Sequence, residues 1–329
     1  MRDQPMDVDE GALLDALKAW GIAPEAVAYA PVGFGDHHWI AGAAGTAEAG
    51  GARWFVTVAD LPHKPYCGDG ADAAFAGLRR AMDTAWSLRH EAGLPFVTAP
   101  LRTAAGETTL RFGQRYAVSV FPYADGVAGD FGQKLTPGER APLIDMLAAL
   151  HGSPPPAAIP ARPLALPGRA RLEKTLAEVG HPWEGGPYAE PARDLLAGHL
   201  TAFLRRLEEF DRRSAEVRGE PVVTHGEPHP GNLLRSPGGL LLVDWDTVGL
   251  APPERDLWLA AADPADLDRY TEATGRRPDP SVLALYRLRW SLEDVSLFLE
   301  YFRSPHGRTA DAEQSWSALT GTMEWLATT

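Results

Sequence analysis

The stretch 222–258, VVTHGEPHPGNLLRSPGGLLLVDWDTVGLAPPERDLW, constrains the fold more than any other part of the chain. It alternates short apolar runs with loops dense in polar side chains. Pro221–Thr224, Asn232–Arg235 and Leu240–Val243 read as strands, and the tight turn SPGG (236–239) joins the last two as a hairpin. His225, Glu227, His229 and Asn232 lie in the loop before the hairpin, and Asp244 and Asp246 follow its second strand. Such a hairpin can bring Asn232 and Asp244 side by side, with Glu227 across the same cleft. An amide oxygen and a carboxylate on rigid elements form a hard, oxygen-only site, which suits Mg²⁺ rather than zinc. A third carboxylate beside it can orient or deprotonate a hydroxyl. That set is the recurring solution for phosphoryl transfer.

The rest of the chain has two characters. A short amphipathic helix at 11–20 is followed by strand-like runs at Val27–Val32, His37–Ala43 and Arg53–Ala59, with a Gly- and Ala-rich turn over 42–52. Phe75, Leu78, Met82 and Trp86 recur at helical spacing over 73–92, and Gly93 stands where the helix should stop. Further strand-like runs lie around Leu101–Leu110, interrupted by the turn AAGE (104–107), and at Tyr116–Pro122. Thr136–Pro137–Gly138–Glu139 is a capping-box pattern at a helix start, with Pro142 inside the helix marking a kink or a later start. The proline-rich segment 152–168 ends that helix as an irregular excursion, and beyond 169 the chain is mainly helical apart from the hairpin region. These patterns predict an α+β fold of two lobes: residues 1–124, a small sheet with one packed helix, and residues 125–329, mostly helices.

Composition excludes several partners. The net charge of −13 argues against a nucleic acid, whose phosphates need a basic surface. With one cysteine, Cys67, no disulfide framework and no CxxC zinc site is expected. The opening MRDQPMDVDEGALL has no apolar leader segment, and no run approaches the roughly 20 apolar residues of a membrane span. A cytoplasmic location is the default expectation, and no membrane or protein partner is implied.

The segment 222–258 is similar to the HGDxxxxN catalytic loop and following metal-binding Asp of the aminoglycoside phosphotransferase family, which shares its kinase-like arrangement with choline, homoserine and fructosamine kinases. The resemblance implies a bilobal protein-kinase-like fold that uses ATP and Mg²⁺. On it, Glu227 stands where the family has its catalytic Asp, and Asn232 matches the loop Asn that binds Mg²⁺. Asp244 matches the Asp that binds the metals bridging the ATP phosphates. His225 supports the loop and Asp256 anchors it from behind. PVGFGDHHW (31–39), with Gly33 and Gly35, resembles the loop that covers the phosphates; the same glycines also suit a plain hairpin turn. YAVSVFPYADG (116–126) sits where the family has its inter-lobe linker, where backbone groups around Phe121–Tyr123 would meet adenine. The helix ending LAALHG resembles the one after that linker.

Three departures stand out. Glu227 replaces the family's Asp, and its extra methylene moves the carboxylate by roughly a bond length, where about 1 Å of misplacement can cost on the order of 100-fold in rate. Thr57 occupies the third-strand place of the lysine that pairs with the α/β-phosphates, with Lys64 or Arg53 as substitutes. The helix over 73–92 has no well-placed glutamate to pair with such a lysine, Asp83 being the only acid in its middle.

In this family the C-terminal helices hold the acceptor. Residues 286–303 read as a helix whose core face is Leu288, Leu292, Val295, Leu299 and Phe302. A second stripe, Trp290, Asp294, Leu297 and Tyr301, with Glu293 beside it, can hold an amine by ion pairing and cation–π contact; it equally fits an ordinary helix edge. Asp246 is a further substrate candidate, and Trp245 either packs in the core or lines the pocket. The leading reading is a kinase acting on a hydroxyl of a small, cationic molecule of the aminoglycoside or aminocyclitol type, through which it would confer antibiotic resistance. The alternatives are a kinase of another hydroxyl metabolite, or a pseudokinase-like binding protein motivated by Glu227 and Thr57.

Overall fold

The computed structural model describes residues 1–42 and 52–329. The turn expected over 42–52 falls, apart from its end residues, outside the described residues. Two compact units interleave along the chain. Leaving aside the first two residues, one comprises 3–162 and 220–278, and the other 163–219 and 279–329.

In the first unit, β1 (Ala26–Ala30), β2 (His37–Gly42), β3 (Trp54–Asp60), β4 (Leu110–Phe112) and β5 (Tyr116–Pro122) form an antiparallel sheet in the order β1-β2-β3-β5-β4. Side chains alternate across the pleat. Trp39, Ala41, Val56, Val58, Val118 and Val120 therefore share a core with Leu13 and Leu17 of α1 (Glu10–Leu17). In the run expected around Leu101–Leu110, strand begins only at Leu110. The expected interrupting turn forms at Thr103 to Gly106, the Gly106 N–H donating to the Thr103 carbonyl at 2.9 Å with Gly106 at φ 87°.

Helix α2 (Ala71–His90) buries a face of small and aliphatic residues, among them Ala74, Ala81, Ala85 and Leu88. A Cβ on Gly77 would overlap the Cys67 carbonyl, so the glycine lets the helix press against the segment after β3. Gly93, at φ 72°, turns the chain away after the last turn.

The chain continues through β6 (Val127–Ala128) into α3 (Pro137–His151), which starts at the expected Thr136–Glu139 capping box. Pro142 removes one bond from the second turn without ending the helix. After the second unit's first stretch come β7 (Val222–Thr224), β8 (Leu233–Ser236), β9 (Gly239–Leu242) and β10 (Gly249–Ala251). β8 and β9 form the expected hairpin with β6 on its edge, and β10 pairs with β7. Helices α6 (Glu254–Ala260) and α7 (Pro264–Thr274) complete the unit.

The second unit is helical among its described elements: α4 (Arg169–Ala177), α5 (Ala189–Ser214), α8 (Pro280–Arg303) and α9 (Ala310–Thr328). Helix α8 starts earlier than its apolar periodicity suggests. Asp279 accepts the Ser281 N–H at 2.7 Å and Pro280 takes the first helical position. Its expected apolar face, Leu288, Leu292, Val295, Leu299 and Phe302, is buried in one core with Leu196, Phe203 and Phe210 of α5. No described helix is long and apolar enough to cross a membrane.

Candidate active site

The loop between β7 and β8 is held by its own backbone and by one buried aspartate. His225 accepts the Glu227 N–H on Nδ1 at 3.1 Å and gives its Nε2–H to the Val243 carbonyl at 2.9 Å. Both bonds require the same neutral tautomer. Burial pushes the His225 imidazole down to about 4, so that form persists at neutral pH. Asp256, fully buried on α6, accepts the His225 N–H at 2.8 Å and the Gly226 N–H at 2.6 Å. His151, at the end of α3, bonds the same carboxylate at 3.0 Å and Tyr270 at 2.8 Å. Gly226 has φ 104°, and a Cβ there would strike the Arg255 guanidinium, which itself donates to Thr224 Oγ1 and the Thr247 carbonyl at 2.8 Å each.

Asn232 and Asp244 are presented by the two strands of the hairpin. The Asn232 Nδ2 amide donates to the Glu227 carbonyl at 2.9 Å and approaches His229 Nε2 at 3.3 Å, which turns Oδ1 the other way as an acceptor. Val243 N–H donates to the Asn232 carbonyl at 3.0 Å, tying the hairpin's exit to the loop. Asp244 is the one described non-glycine residue at positive φ, 65°. That conformation costs an L-residue roughly 1–2 kcal/mol, least for Asp or Asn, and such strain concentrates at working sites. The Asp244 side chain is open to solvent. Desolvation by surrounding protein, then repulsion from Asp246 and Glu227, pushes its carboxyl well above the usual range, with Lys64 pulling it back. Because the side chain is open, repulsion is the firmer of the two causes. A cation bound beside it would remove that penalty.

Among the described residues no group of three or more His, Cys, Asp or Glu side chains forms a metal cage. An ion here would be held by one amide oxygen, one carboxylate and oxygens of a bound phosphate. That is the sparse ligation Mg²⁺ takes at phosphate sites, so the residues present fit it.

Lys64 lies in the segment after β3 and is buried. Its Nζ donates to Asp246 Oδ2 at 2.5 Å and Tyr66 Oη at 3.0 Å, and pairs with Asp36 Oδ2 at 3.0 Å. Tyr66 donates to the same Asp246 oxygen at 2.7 Å. Arg162, from the proline-rich excursion, donates to the Asp246 carbonyl at 3.0 Å and also to the Tyr66 carbonyl. Asp246 is thus buried between Lys64 and Tyr66, while Trp245 is core, edge-on to His225 with ring centroids 4.6 Å apart. Thr57 stands opposite His38 in the β2–β3 register and hydrogen-bonds its Nδ1 at 3.2 Å. Burial pushes His38 down to about 3, so neither residue brings positive charge to that place. Gly33 and Gly35 have φ of 70° and 99°, and Phe34 between them is exposed.

At the linker, Phe121 pairs with Phe55 across β5 and β3. The Tyr123 N–H donates to the Arg53 carbonyl at 3.3 Å, and the Arg53 guanidinium lies 4.0 Å from the Tyr123 ring centre. Arg53 also pairs with Asp125 at 2.9 Å.

In the second unit, Trp290, Asp294 and Tyr301 lie on α8, each half-buried. Glu293 pairs with Arg289 at 2.9 Å. Burial, then repulsion from Glu293, raises Asp294 to about 7, while a hydrogen bond from Trp290 opposes the shift. Asp36, Tyr66, Arg162 and Tyr270 were absent from the sequence-derived candidates. Only Asp36 carried a signal, since it directly follows the two loop glycines.

A polar loop braced by a buried aspartate, followed by a hairpin that ends in an aspartate at positive φ, is the arrangement expected of a kinase-like phosphotransferase. The chain belongs to the phosphotransferase enzyme family, APH, whose model matches residues 74–298. Its fold is α+β and protein-kinase-like. It is similar over 98% of its length to 98% of spectinomycin phosphotransferase APH(9)-Ia, solved with ADP and spectinomycin, at TM-score 0.71 and 16% identity. Amicoumacin kinase hAmiN, solved with AMP-PNP and Ca²⁺, matches at TM-score 0.58 and 14% identity, with 97% of this chain and 93% of that one covered. A microcompartment-associated aminopropanol kinase matches at TM-score 0.56 and 17% identity, with 96% of each chain covered. No curated protein matches the chain by sequence. At these identities the likenesses are of fold.

Proposed function

We propose that this enzyme transfers the γ-phosphoryl group of ATP, with Mg²⁺, to a hydroxyl of a small cationic molecule, an aminoglycoside- or aminocyclitol-type antibiotic being the leading acceptor. The observation that carries the reading is the bond from Asn232 Nδ2 to the Glu227 carbonyl at 2.9 Å. It couples the residue that would ligate the ion to the residue that would receive the acceptor, and both to the backbone His225 fixes.

Asn232 Oδ1 and the Asp244 carboxylate would hold Mg²⁺, which when bound neutralises charge on the phosphate oxygens. Gly33 and Gly35 let the loop after β1 approach phosphates by its backbone, and the Phe121–Tyr123 linker receives the adenine. Glu227 orients the acceptor hydroxyl and takes its proton as the oxygen attacks the phosphorus; the leaving oxygen departs on ADP. Catalysis here is mainly positioning and electrostatics. On α8, Asp294 and Trp290 bind an ammonium group of the acceptor, with Tyr301 on the same stripe. ATP supply places the work in the cytoplasm. The named ligands of the similar structures, ADP with spectinomycin and AMP-PNP with amicoumacin, support the choice of substrates.

The test is the melting temperature with ATP, with and without Mg²⁺, followed by turnover of Glu227→Gln. A ligand at about 100 times its Kd adds roughly 2.7 kcal/mol, so a Mg²⁺-dependent rise is expected, with turnover lost in the variant. No rise at millimolar ATP would favour the pseudokinase reading, and surviving turnover would remove Glu227 as the base.

A further inference from the structure

The chain has four lysines, Lys18, Lys64, Lys134 and Lys174, and only Lys64 is buried. It is held between two parts of the proposed nucleotide site. On one side is Asp36, next to the Gly33–Gly35 loop, and on the other is Asp246, two residues beyond Asp244. Arg53, the other sequence candidate for a displaced phosphate cation, is occupied at the linker by Tyr123 and Asp125. Phosphates arriving here meet the carboxylates of Glu227, Asp244, Asp246 and Asp36, and need an ammonium that β3 does not supply at Thr57.

We propose that Lys64 is the cation that meets the nucleotide's phosphates in this chain, and that Asp36 is the internal carboxylate those phosphates displace from it. Two features of Asp36 support the exchange. Its residue is 8% exposed, yet Oδ1 has no hydrogen-bond partner among the described residues, so the pairing with Lys64 through Oδ2 leaves half the carboxylate unsatisfied. Such a contact is poorly compensated for a buried charge. The Met1 ammonium holds the Val32, Gly33 and Asp36 carbonyls at 3.1, 2.9 and 3.1 Å, so the carboxylate leaves Lys64 by rotation of the Asp36 side chain and not by movement of the loop. Asp246 and Tyr66 remain on Lys64 throughout and fix its direction. Although burial opposes its charge, Asp246 and Asp36 hold the Lys64 pKa well above the ordinary lysine value, so it is an ammonium at working pH. Asp36 therefore acts as a built-in competitor that lowers apparent nucleotide affinity by the fraction of molecules in which it is engaged.

The inference rests on the ATP·Mg²⁺ reading, and calorimetric titration of the full chain with Mg·ATP tests the two separately. Lys64→Met is expected to weaken binding by at least about tenfold, as for loss of one partner of a desolvated charge pair. Asp36→Asn is expected to tighten it by roughly threefold or more. The opposite signs matter, because a purely structural role for the pair predicts weaker or unchanged binding in both. Lys64→Met binding like the wild type overturns the proposal, and so does Asp36→Asn binding equally or more weakly. The Asp36→Asn arm decides the matter even if Lys64→Met fails to fold. A wild-type chain that binds no Mg·ATP overturns the parent reading, and this one with it.

Discussion

His225 accepts the backbone N–H of Glu227 on Nδ1 at 3.1 Å, so the imidazole fixes the loop residue that carries the proposed catalytic carboxylate. That bond needs a neutral ring. Burial sets the folded pKa at about 4, below the ordinary histidine value near 6.5.

A pH dependence follows directly. A histidine whose folded pKa is depressed adds stability that is fully present above its unfolded pKa and is lost as pH falls towards the folded value. Between pH 6.5 and 4 this residue alone costs on the order of 3 kcal/mol. His229, pushed down to about 4 by burial, acts with the same sign. Thermal melts across that window should show a steep fall that is shallower in His225→Gln.

Glu227→Asp restores the carboxylate type of the resembling loop but withdraws it by about one bond length. In a cleft adapted to Glu, that displacement should lower kcat by roughly 10- to 100-fold with KM for ATP unchanged. Steady-state kinetics on both substrates would decide it. A faster Asp enzyme would mean that the cleft is shaped for the shorter side chain.

Asp244→Asn should uncouple stability from function. It keeps a residue type that tolerates φ 65° and removes a charge repelled by Asp246 and Glu227. The ligand-free melting temperature should rise, by an amount corresponding to about 0.5–2 kcal/mol, while Mg²⁺-dependent nucleotide binding disappears. A drop in melting temperature would show that the carboxylate stabilises the empty fold.

Asp294→Asn should raise KM for a cationic acceptor by about tenfold and leave nucleotide binding alone. The wild-type carboxyl ionises at about 7, so acceptor affinity should increase from pH 6 to 8 in the wild type and stay flat in the variant. Equal profiles would take Asp294 out of acceptor binding.

The segment proposed as catalytic was legible because its information is local. The hairpin turn, the polar loop and the following aspartate lie within a few tens of residues, and strand alternation and turn chemistry fix their geometry. The same holds for the α3 capping box and the apolar face of α8, whose periodicity alone selects the buried side. In the run around Leu101–Leu110 the AAGE turn was legible and forms at Thr103–Gly106, but the residues before it do not pair as a strand, and strand starts at Leu110.

The resemblance already named Asp256 as the loop's anchor, but its bond to His151 and the ion cluster around Lys64 were not legible. Asp256 meets His151 across 105 positions and Lys64 meets Asp246 across 182. No local pattern marks a buried carboxylate whose partners come from distant elements. Likewise, only the fold reveals that 163–219 and 279–329 share one core. Local pattern marked which groups could carry chemistry and on which local elements they stand, because propensity and periodicity act over a few turns. Folding then set which of those groups are charged, paired or strained, because burial and electrostatics depend on what the rest of the chain brings alongside.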